Sequence, residues 1–334
     1  MNTDKLLDIN NLTTSFDTDD GKVTAIEDIS FDLLEGESLG ILGESGCGKS
    51  VTALSIMNLL PEGVGYIENG SIYFKGENLV NLSRKKMRSY RGNKISMIFQ
   101  EPMTSLNPVF KIKKQLTEVY LTHKKFNKKE AVDKSIEILD LVGIPDPEPT
   151  LNKYPYQLSG GMRQRVMIAM ALACEPDLLI ADEPTTALDV TIQAQILKLM
   201  KELKDEFGSS IILITHDLGV IAQMVERVLV FYAGNIIERA DIESLFDNPH
   251  HPYTTGLIKS IPRLGNTKNR LDTIKGIVPS PFSFPQGCRF HPRCDQSMEI
   301  CTKEEPPEVN IKKDHEAKCW LNVDDLEERG AKYA

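Results

Sequence analysis

The chain has 334 residues, enough for a large core in two domains or in one large domain with an appendix. A net charge of −9 argues against a general nucleic-acid binder, because phosphate contacts need a basic surface. The N-terminal residues lack the apolar stretch of a signal peptide, and no window reaches the roughly 18 consecutive apolar residues of a membrane-spanning helix. The composition therefore indicates a cytosolic chain, or one held at a membrane by a partner.

The N-terminal segment predicts β structure followed by a loop and a helix. Apolar and polar residues alternate at first, and Asp19, Asp20 and Gly21 form a hairpin signal between two such runs. This pattern predicts an antiparallel β layer. A short apolar strand at 38–42 then enters a Gly-rich turn, which precedes a helix predicted over 50–60.

Residues 101–160 differ in character, because they are rich in Lys and Glu and have helical periodicity at 112–120 and 129–142. Gly143 is predicted to end the second helix, and the prolines between 145 and 149 predict a loop. We interpret the segment as a helical subdomain inserted into a sheet domain.

Strands resume after this subdomain, at 178–181, 210–214 and 228–231, with a helix predicted over 191–207. Alternation of strand and helix predicts a parallel α/β core. The Pro-rich stretch 248–285 is predicted to be a linker with little regular structure.

The Gly-rich turn matches the phosphate-loop pattern G-x-x-x-x-G-K-S/T from Gly43 to Ser50. Glycines allow backbone N–H groups to turn toward phosphate oxygens, and the helix N-terminus adds partial positive charge. Lys49 is predicted to reach the β- and γ-phosphates, and the Ser50 hydroxyl to bind Mg²⁺.

Two acids follow the strand predicted at 178–181. Asp182 is predicted to hold Mg²⁺ through its water shell, and Glu183 to act as the general base for attack on the γ-phosphate. An acid pair after a strand is often only a helix cap, but downstream of a phosphate loop the catalytic interpretation prevails.

A second anion site is predicted where Ser159, Gly160 and Gly161 precede a strongly helical run. An ordinary helix cap explains the same residues equally well.

Four of the six cysteines lie in the last fifty residues: Cys288, Cys294, Cys301 and Cys319. Four thiolates suit Zn²⁺ or a 4Fe-4S cluster. Zinc sites usually contain a C-x₂₋₄-C pair, which is missing here, so a 4Fe-4S cluster is the favoured hypothesis over Zn²⁺ and over reduced cysteines without metal.

Other tail residues fit the same hypothesis. Arg289, Arg293 and Lys318 would offset the charge of a thiolate-bound cluster, and His291 or His315 could replace one cysteine. Such a metal centre would have a structural role.

The motifs of the sheet domain together resemble the nucleotide-binding subunit of an ABC transporter, over about residues 5–265. The resemblance rests on the order of the motifs: the phosphate loop, Gln100 in Met97–Pro102, the LSGGMRQR signature at 158–165, the acid pair, Ala187-Leu188-Asp189, and His216 in Ile214–Asp217.

The resemblance implies a role for each residue. Gln100 would contact Mg²⁺ or water and sense the membrane subunit, His216 would contact the γ-phosphate, and Asp189 would lie at the interface between two cassettes. Phe16 is the best candidate to stack on adenine, although packing in the core is nearly as plausible. The expected loop contacts to ATP are Gly43, Glu44, Ser45, Gly46, Cys47, Gly48, Lys49, Ser50 and Val51.

The expected fold class is therefore α/β. An ABC ATPase cassette would occupy 1–265, with a parallel RecA-like core, an antiparallel β layer and the helical subdomain at 101–160. A small irregular metal-binding tail would occupy 266–334.

A narrower resemblance lies in 248–257 and 287–294, which look like the C-terminal extension of oligopeptide and dipeptide permease ATPases, with the dipeptide type favoured. It implies a bacterial importer ATPase at the cytoplasmic face of the membrane. The implied partners are a second ATPase subunit, identical or homologous, two transmembrane permease subunits and, indirectly, an external solute-binding protein.

Other functions stay open at this point. Nickel importers share much of the tail, and a soluble ABC ATPase of DNA repair, translation or iron–sulfur assembly is a second class. Many of those carry two cassettes or a long coiled coil, and neither is present here. A binding module without turnover would be expected to lack Glu183 or His216.

Overall fold

The structure is a computed structural model. It describes residues 5–100, 105–185, 189–261 and 273–323. Contacts divide the chain into two compact units. The first comprises 1–6, 33–38 and 81–214, and the second comprises 7–32, 39–80 and 215–334. Within the described ranges, every helix is too short or too polar to cross a membrane.

The second unit contains an antiparallel sheet built on a hairpin. Strands β1 (Lys5–Thr18) and β2 (Gly21–Leu34) are neighbours joined by a tight turn, as the sequence predicts. Strand β4 (Gly65–Phe74) pairs antiparallel with β1, from Leu7 opposite Phe74 to Phe16 opposite Gly65, and β5 (Glu77–Asn78) lies beside β4. The predicted antiparallel layer is therefore confirmed.

The second unit also contains five strands of a second sheet, in the order β3-β9-β10-β12-β11. Strands β3 and β9 are parallel, and the remaining neighbours are antiparallel. The bounds are Ser38–Leu42 (β3), Arg227–Tyr232 (β9), Asn235–Asp241 (β10), Glu308–Lys312 (β11) and His315–Lys318 (β12).

The prediction of an irregular tail is thus wrong in part. Strand β12 pairs with β10, and it buries His315 and Ala317 while the residues between and after them stay partly exposed. A strand of four residues with His and Ala on its buried face carries too weak an alternation to be recognised from sequence.

Helices of this unit are short, with these bounds: α1 Lys49–Ile56, α8 Leu218–Met224, α9 Ile242–Asp247 and α10 Pro252–Lys259. Helix α1 ends before the predicted residue 60, because Asn58 adopts a left-handed φ of 49°. Helix α10 lies inside the predicted linker. Its first residue is Pro252, which needs no N–H there, and the His251 side chain caps it by accepting from Tyr253 N.

The first unit contains three parallel strands, β6 (Ile95–Ile98), β7 (Leu178–Asp182) and β8 (Ser210–Thr215), in the order β6-β7-β8. All residues of β7 and β8 are buried, which explains their continuous apolar runs. The parallel core predicted for this region is confirmed. The helices are α2 Arg84–Arg88, α3 Ile112–His123, α4 Lys128–Leu141, α5 Pro147–Leu151, α6 Gly160–Leu172 and α7 Val190–Phe207.

Both helices predicted within 101–160 are present, as α3 and α4. Asn127 and Glu130 form a capping box at the start of α4, and Gly143 follows its end with φ of 71°. The predicted loop after Gly143 instead contains α5, whose first residue is Pro147, a position that tolerates proline. Residues 101–104 of the predicted subdomain lie outside the described residues.

Candidate nucleotide-binding site

The phosphate loop connects β3 to α1, and close packing explains two of its glycines. A Cβ on Gly43 would lie 2.4 Å from the Phe231 carbonyl oxygen. A Cβ on Gly48 would lie 2.6 Å from Ile26 Cγ2, and Gly48 also has φ of 106°. Neither position accepts a side chain without a shift of the backbone or core.

The lysine of the loop is held by the loop itself. Lys49 is 6% exposed, and its Nζ donates to the carbonyl oxygens of Gly43 at 2.7 Å and Glu44 at 2.9 Å. Ser45 and Gly46, at the tip, are exposed, whereas Ser50 and Val51 are partly buried at the start of α1. The ammonium group is therefore fixed beneath an open tip, an arrangement suited to a bound phosphate chain.

Contacts from the rest of the second unit fix the loop. Glu44 N–H donates to the Tyr253 hydroxyl at 2.9 Å, and Gly234 N–H donates to the Cys47 carbonyl oxygen at 3.0 Å. Cys47 is fully buried, and burial raises the pKa of its thiol. Cys47 therefore packs as a neutral side chain within the loop.

An ion pair to the C-terminal extension holds the second loop residue. Arg293 Nη1 lies 2.6 Å from Glu44 Oε2, and Nη2 lies 3.0 Å from Oε1. The hydrogen bond to Glu44 raises the pKa of Arg293 above its ordinary value. The sequence predicts that Arg293 lies beside the cysteines, and no local sequence pattern links it to a carboxylate 249 positions earlier.

The acid pair ends β7 in the first unit. Asp182 is 4% exposed, and Glu183 follows with a left-handed φ of 46°. Glu183 N–H donates to the Ile214 carbonyl oxygen at 2.8 Å, and its Oε2 accepts from Gln100 Nε2 at 3.0 Å. The structure thus brings Gln100 and Glu183 together. A non-glycine residue held in this conformation is a common feature of functional sites.

The signature residues start α6. Ser159 is the N-cap, and its Oγ accepts from Met162 N at 3.3 Å. Ser159 and Gly160 are exposed and Gly161 is partly exposed, so this N-terminus is open to an anion. Ser159 can therefore cap α6 while the same helix N-terminus binds an anion.

Asp189 is the N-cap of α7, where its side chain accepts from Ile192 N at 3.0 Å. Its neighbours Ala187 and Leu188 lie outside the described residues. The cap gives Asp189 a local structural role, and the cassette interface stays a prediction for it.

His216 follows β8 directly and is exposed, as expected for a ligand contact. Phe16 lies in β1 opposite Gly65, where a Cβ would be 2.9 Å from Phe16 Cε1. The partly buried Phe16 ring therefore covers the backbone of β4, and adenine stacking stays a prediction for it.

The tail cysteines form one group of free thiols. Cys288 N–H donates to the Cys301 carbonyl oxygen at 2.9 Å. Burial, then repulsion from the other tail thiols, raises the pKa of Cys319 to about 12 and that of Cys288 to about 11. Burial and repulsion from Cys301 also raise the pKa of Cys294. Over the parts of the chain that the structure describes, however, no three Cys, His, Asp or Glu side chains stand in a metal-holding geometry.

Besides Arg293, two further residues expected at the cysteine site are engaged elsewhere. His315 is fully buried, with Nε2 2.9 Å from Glu238 Oε1. Arg289 pairs with Glu27 and donates to the Ala233 carbonyl oxygen. Arg289 and His315 therefore attach the extension to the cassette strands.

Comparison with known proteins agrees with these motifs. A family model described as "ABC transporter" matches residues 26–186, and one described as "Oligopeptide/dipeptide transporter, C-terminal region" matches 237–301. A dimeric cassette, MJ0796 bound to ADP and Pi, superposes with a TM-score of 0.64 and 27% identity, over 71% of this chain and 98% of that one. Fold and motifs together define an ATP-binding cassette.

Curated relatives extend the match to nearly the whole chain. The dipeptide transport ATP-binding protein DppD of Bacillus subtilis is 52% identical over 318 residues, which cover 95% of each chain. The oligopeptide transport ATP-binding protein AppD of the same organism is 49% identical over 98% of each chain. The chain therefore belongs to the ABC transporter family, as an ATPase subunit related to those of peptide transporters.

Proposed function

We propose that this chain hydrolyses MgATP to power uptake of dipeptides or oligopeptides across the cytoplasmic membrane. The observation that carries the proposal is the C-terminal region. The oligopeptide/dipeptide family model covers 237–301, outside the segment that the general ABC transporter model matches. This region includes most of β10, all of α10 and three of the four tail cysteines. A general cassette would not need to share it.

The roles proposed for individual residues follow from their chemistry. Residues 43–51 bind the phosphates, Lys49 offsets their charge, and Ser50, Asp182 and Gln100 hold Mg²⁺ and its water. Glu183 removes a proton from the attacking water, and His216 contacts the γ-phosphate. The hydrogen bond from Gln100 to Glu183 supports this assignment, since it orients the carboxylate.

The exposed signature supports a paired arrangement. Ser159, Gly160 and Gly161 present helix N–H groups outward, so we propose that they complete the ATP site of a facing ATPase, identical or homologous. Asp189 would lie at that interface. Two transmembrane permease subunits would bind the helical subdomain at 101–160 and hold the chain at the cytoplasmic face, and an external binding protein would deliver the peptide.

For the tail we propose a structural 4Fe-4S cluster held by Cys288, Cys294, Cys301 and Cys319, with Zn²⁺ as the alternative. Two observations support the proposal: all four are free thiols, and repulsion from other tail thiols helps to raise the pKa values of Cys288, Cys294 and Cys319. A soft metal centre would bind the thiolates and remove that repulsion. The cassette would occupy 1–265 and the metal-binding extension 266–334.

Uptake measured in cells tests the transport proposal. Deletion of the chain should abolish accumulation of labelled dipeptides or oligopeptides, and the intact chain should restore it. A Glu183→Gln chain, expressed at the same level, should not restore peptide accumulation. Nickel accumulation measured in the same strains should not change. Loss of nickel uptake with normal peptide uptake would refute the peptide assignment in favour of a nickel importer.

Anaerobic purification followed by iron, sulfide and zinc analysis tests the cluster. Four iron atoms and four sulfides per chain are expected, with loss of iron in a Cys301→Ser variant. Stoichiometric zinc would favour the alternative, and a colourless chain without metal would refute both.

A further inference from the structure

A bidentate ion pair between Arg293 and Glu44, called the clamp below, joins the C-terminal extension to the phosphate loop. Arg293 binds both carboxylate oxygens of Glu44, and its Nε donates to the Lys275 carbonyl oxygen at 2.8 Å. The Arg293 side chain is 4% exposed, against 33% for Glu44. The bond from Nε to Lys275 fixes the orientation of the planar guanidinium group. The two Nη atoms therefore determine where the Glu44 carboxylate lies.

The backbone of Glu44 is held as firmly as its side chain. Its N–H donates to Tyr253 and its carbonyl oxygen accepts from Lys49. Tyr253 is fully buried, with its ring centroid 4.7 Å from that of Tyr232, and the Arg293 guanidinium carbon lies 5.7 Å from the Tyr232 centroid. Glu44 therefore sits in a continuous packed unit that joins the loop to the extension.

We propose that Arg293 is a positioning residue for ATP binding, which neutralises the Glu44 carboxylate and holds it away from the phosphates. This inference rests on the proposal that residues 43–51 bind the triphosphate. A carboxylate in that loop repels a polyanion unless it is paired, and a bidentate arginine both cancels the charge and fixes its place. The C-terminal extension is then part of the nucleotide-binding machinery.

Nucleotide titration of the full chain measures the effect. Arg293→Met should weaken ATP binding about tenfold, because Glu44 keeps its charge and loses its partner. Arg293→Lys should lie between this variant and the wild type, since it restores charge but not the fork. In the assembled ATPase the change should appear in KM for ATP, with kcat at saturating ATP within about twofold of the wild type.

Removal of the carboxylate separates charge from packing. Glu44→Gln alone should bind ATP more tightly than the wild type, because the Arg293 charge beside the loop is then no longer cancelled, and Glu44→Gln with Arg293→Met should recover most of the lost affinity. A purely structural clamp predicts instead that both single variants bind more weakly. Unchanged or weaker binding by Glu44→Gln, or no recovery in the double variant, would overturn the proposal, and the Glu44→Gln measurement decides the question even if Arg293→Met does not fold.

The matched control is Arg239→Met. Arg239 also joins cassette and extension through a carboxylate, with Nη2 2.7 Å from Glu308 Oε1, but it does not touch the loop. ATP affinity should be unchanged in this variant, and a loss equal to that of Arg293→Met would mean that any loosening of the extension is sufficient, which would overturn the specific role. Unchanged ATP binding by Lys49→Ala would instead refute the phosphate-loop assignment itself.

Discussion

Replacement of Glu183 by Gln removes a charge while leaving the local structure in place. The amide oxygen of Gln can still accept from Gln100 Nε2, and the backbone bond from residue 183 to Ile214 O is unaffected. The left-handed backbone, with φ of 46°, costs about 1–3 kcal/mol in both chains. The free energy of unfolding should therefore change by less than about 0.5 kcal/mol.

The rate of hydrolysis should change greatly. Loss of a general base typically costs roughly 10²–10⁴-fold in rate, equivalent to about 2.7–5.4 kcal/mol of barrier. ATP affinity should change by less than about threefold, since the loop and Lys49 are untouched. The expected result is a stable chain that binds ATP and hydrolyses it very slowly.

Phosphate release by the ATPase assembled with its partners, together with ATP titration of the isolated chain, separates these effects. Lys49→Ala serves as the contrasting variant, because it removes a charge-assisted phosphate contact and should weaken binding itself. Hydrolysis by Glu183→Gln at the wild-type rate would remove Glu183 from the role of base. A large loss of ATP affinity in that variant would show that Glu183 binds rather than activates.

Two further predictions concern stability. Gly48→Ala should lower the free energy of unfolding, measured in denaturant, by about 1–3 kcal/mol more than Gly46→Ala does. A Cβ on residue 48 would meet Ile26, whereas a Cβ on residue 46 meets nothing within 4 Å. Equal losses in the two variants would mean that backbone strain alone matters. Burial lowers the pKa of His251 to about 4, so the folded state favours the neutral imidazole. The free energy of unfolding should therefore fall by on the order of 3 kcal/mol as the pH drops from about 6.5 to 4. His251→Asn keeps a capping acceptor for Tyr253 N–H, so a pH profile as steep as that of the wild type would contradict the assignment.

Local sequence signals predicted much of the fold. The two-residue turn between β1 and β2, the buried runs of β7 and β8, and the glycine after α4 depend on residues close in sequence. Helices α5 and α10 are not predicted from the sequence because both begin with proline, which is a loop signal in most contexts but is tolerated in the first turn of a helix.

Contacts between distant residues could not be predicted in the same way. The clamp from Arg293 to Glu44 joins residues 249 positions apart, and β12, which pairs with β10, brings His315 against the buried Glu238, 77 positions earlier. The sequence identified the loop and the acid pair by their motifs, but neither the left-handed Glu183 nor its hydrogen bond to Gln100 leaves a periodic signal.

We propose that a facing cassette completes the ATP site of this ATPase. The most direct test is the rate of ATP hydrolysis per chain, measured across a wide range of protein concentration alongside the oligomeric state. The isolated chain should be mainly monomeric and a poor ATPase, with a rate per chain that rises with concentration or on addition of its partner subunits. ATP should drive the Glu183→Gln chain into dimers. Rapid hydrolysis by a proven monomer, at a rate per chain that does not depend on concentration, would contradict the account.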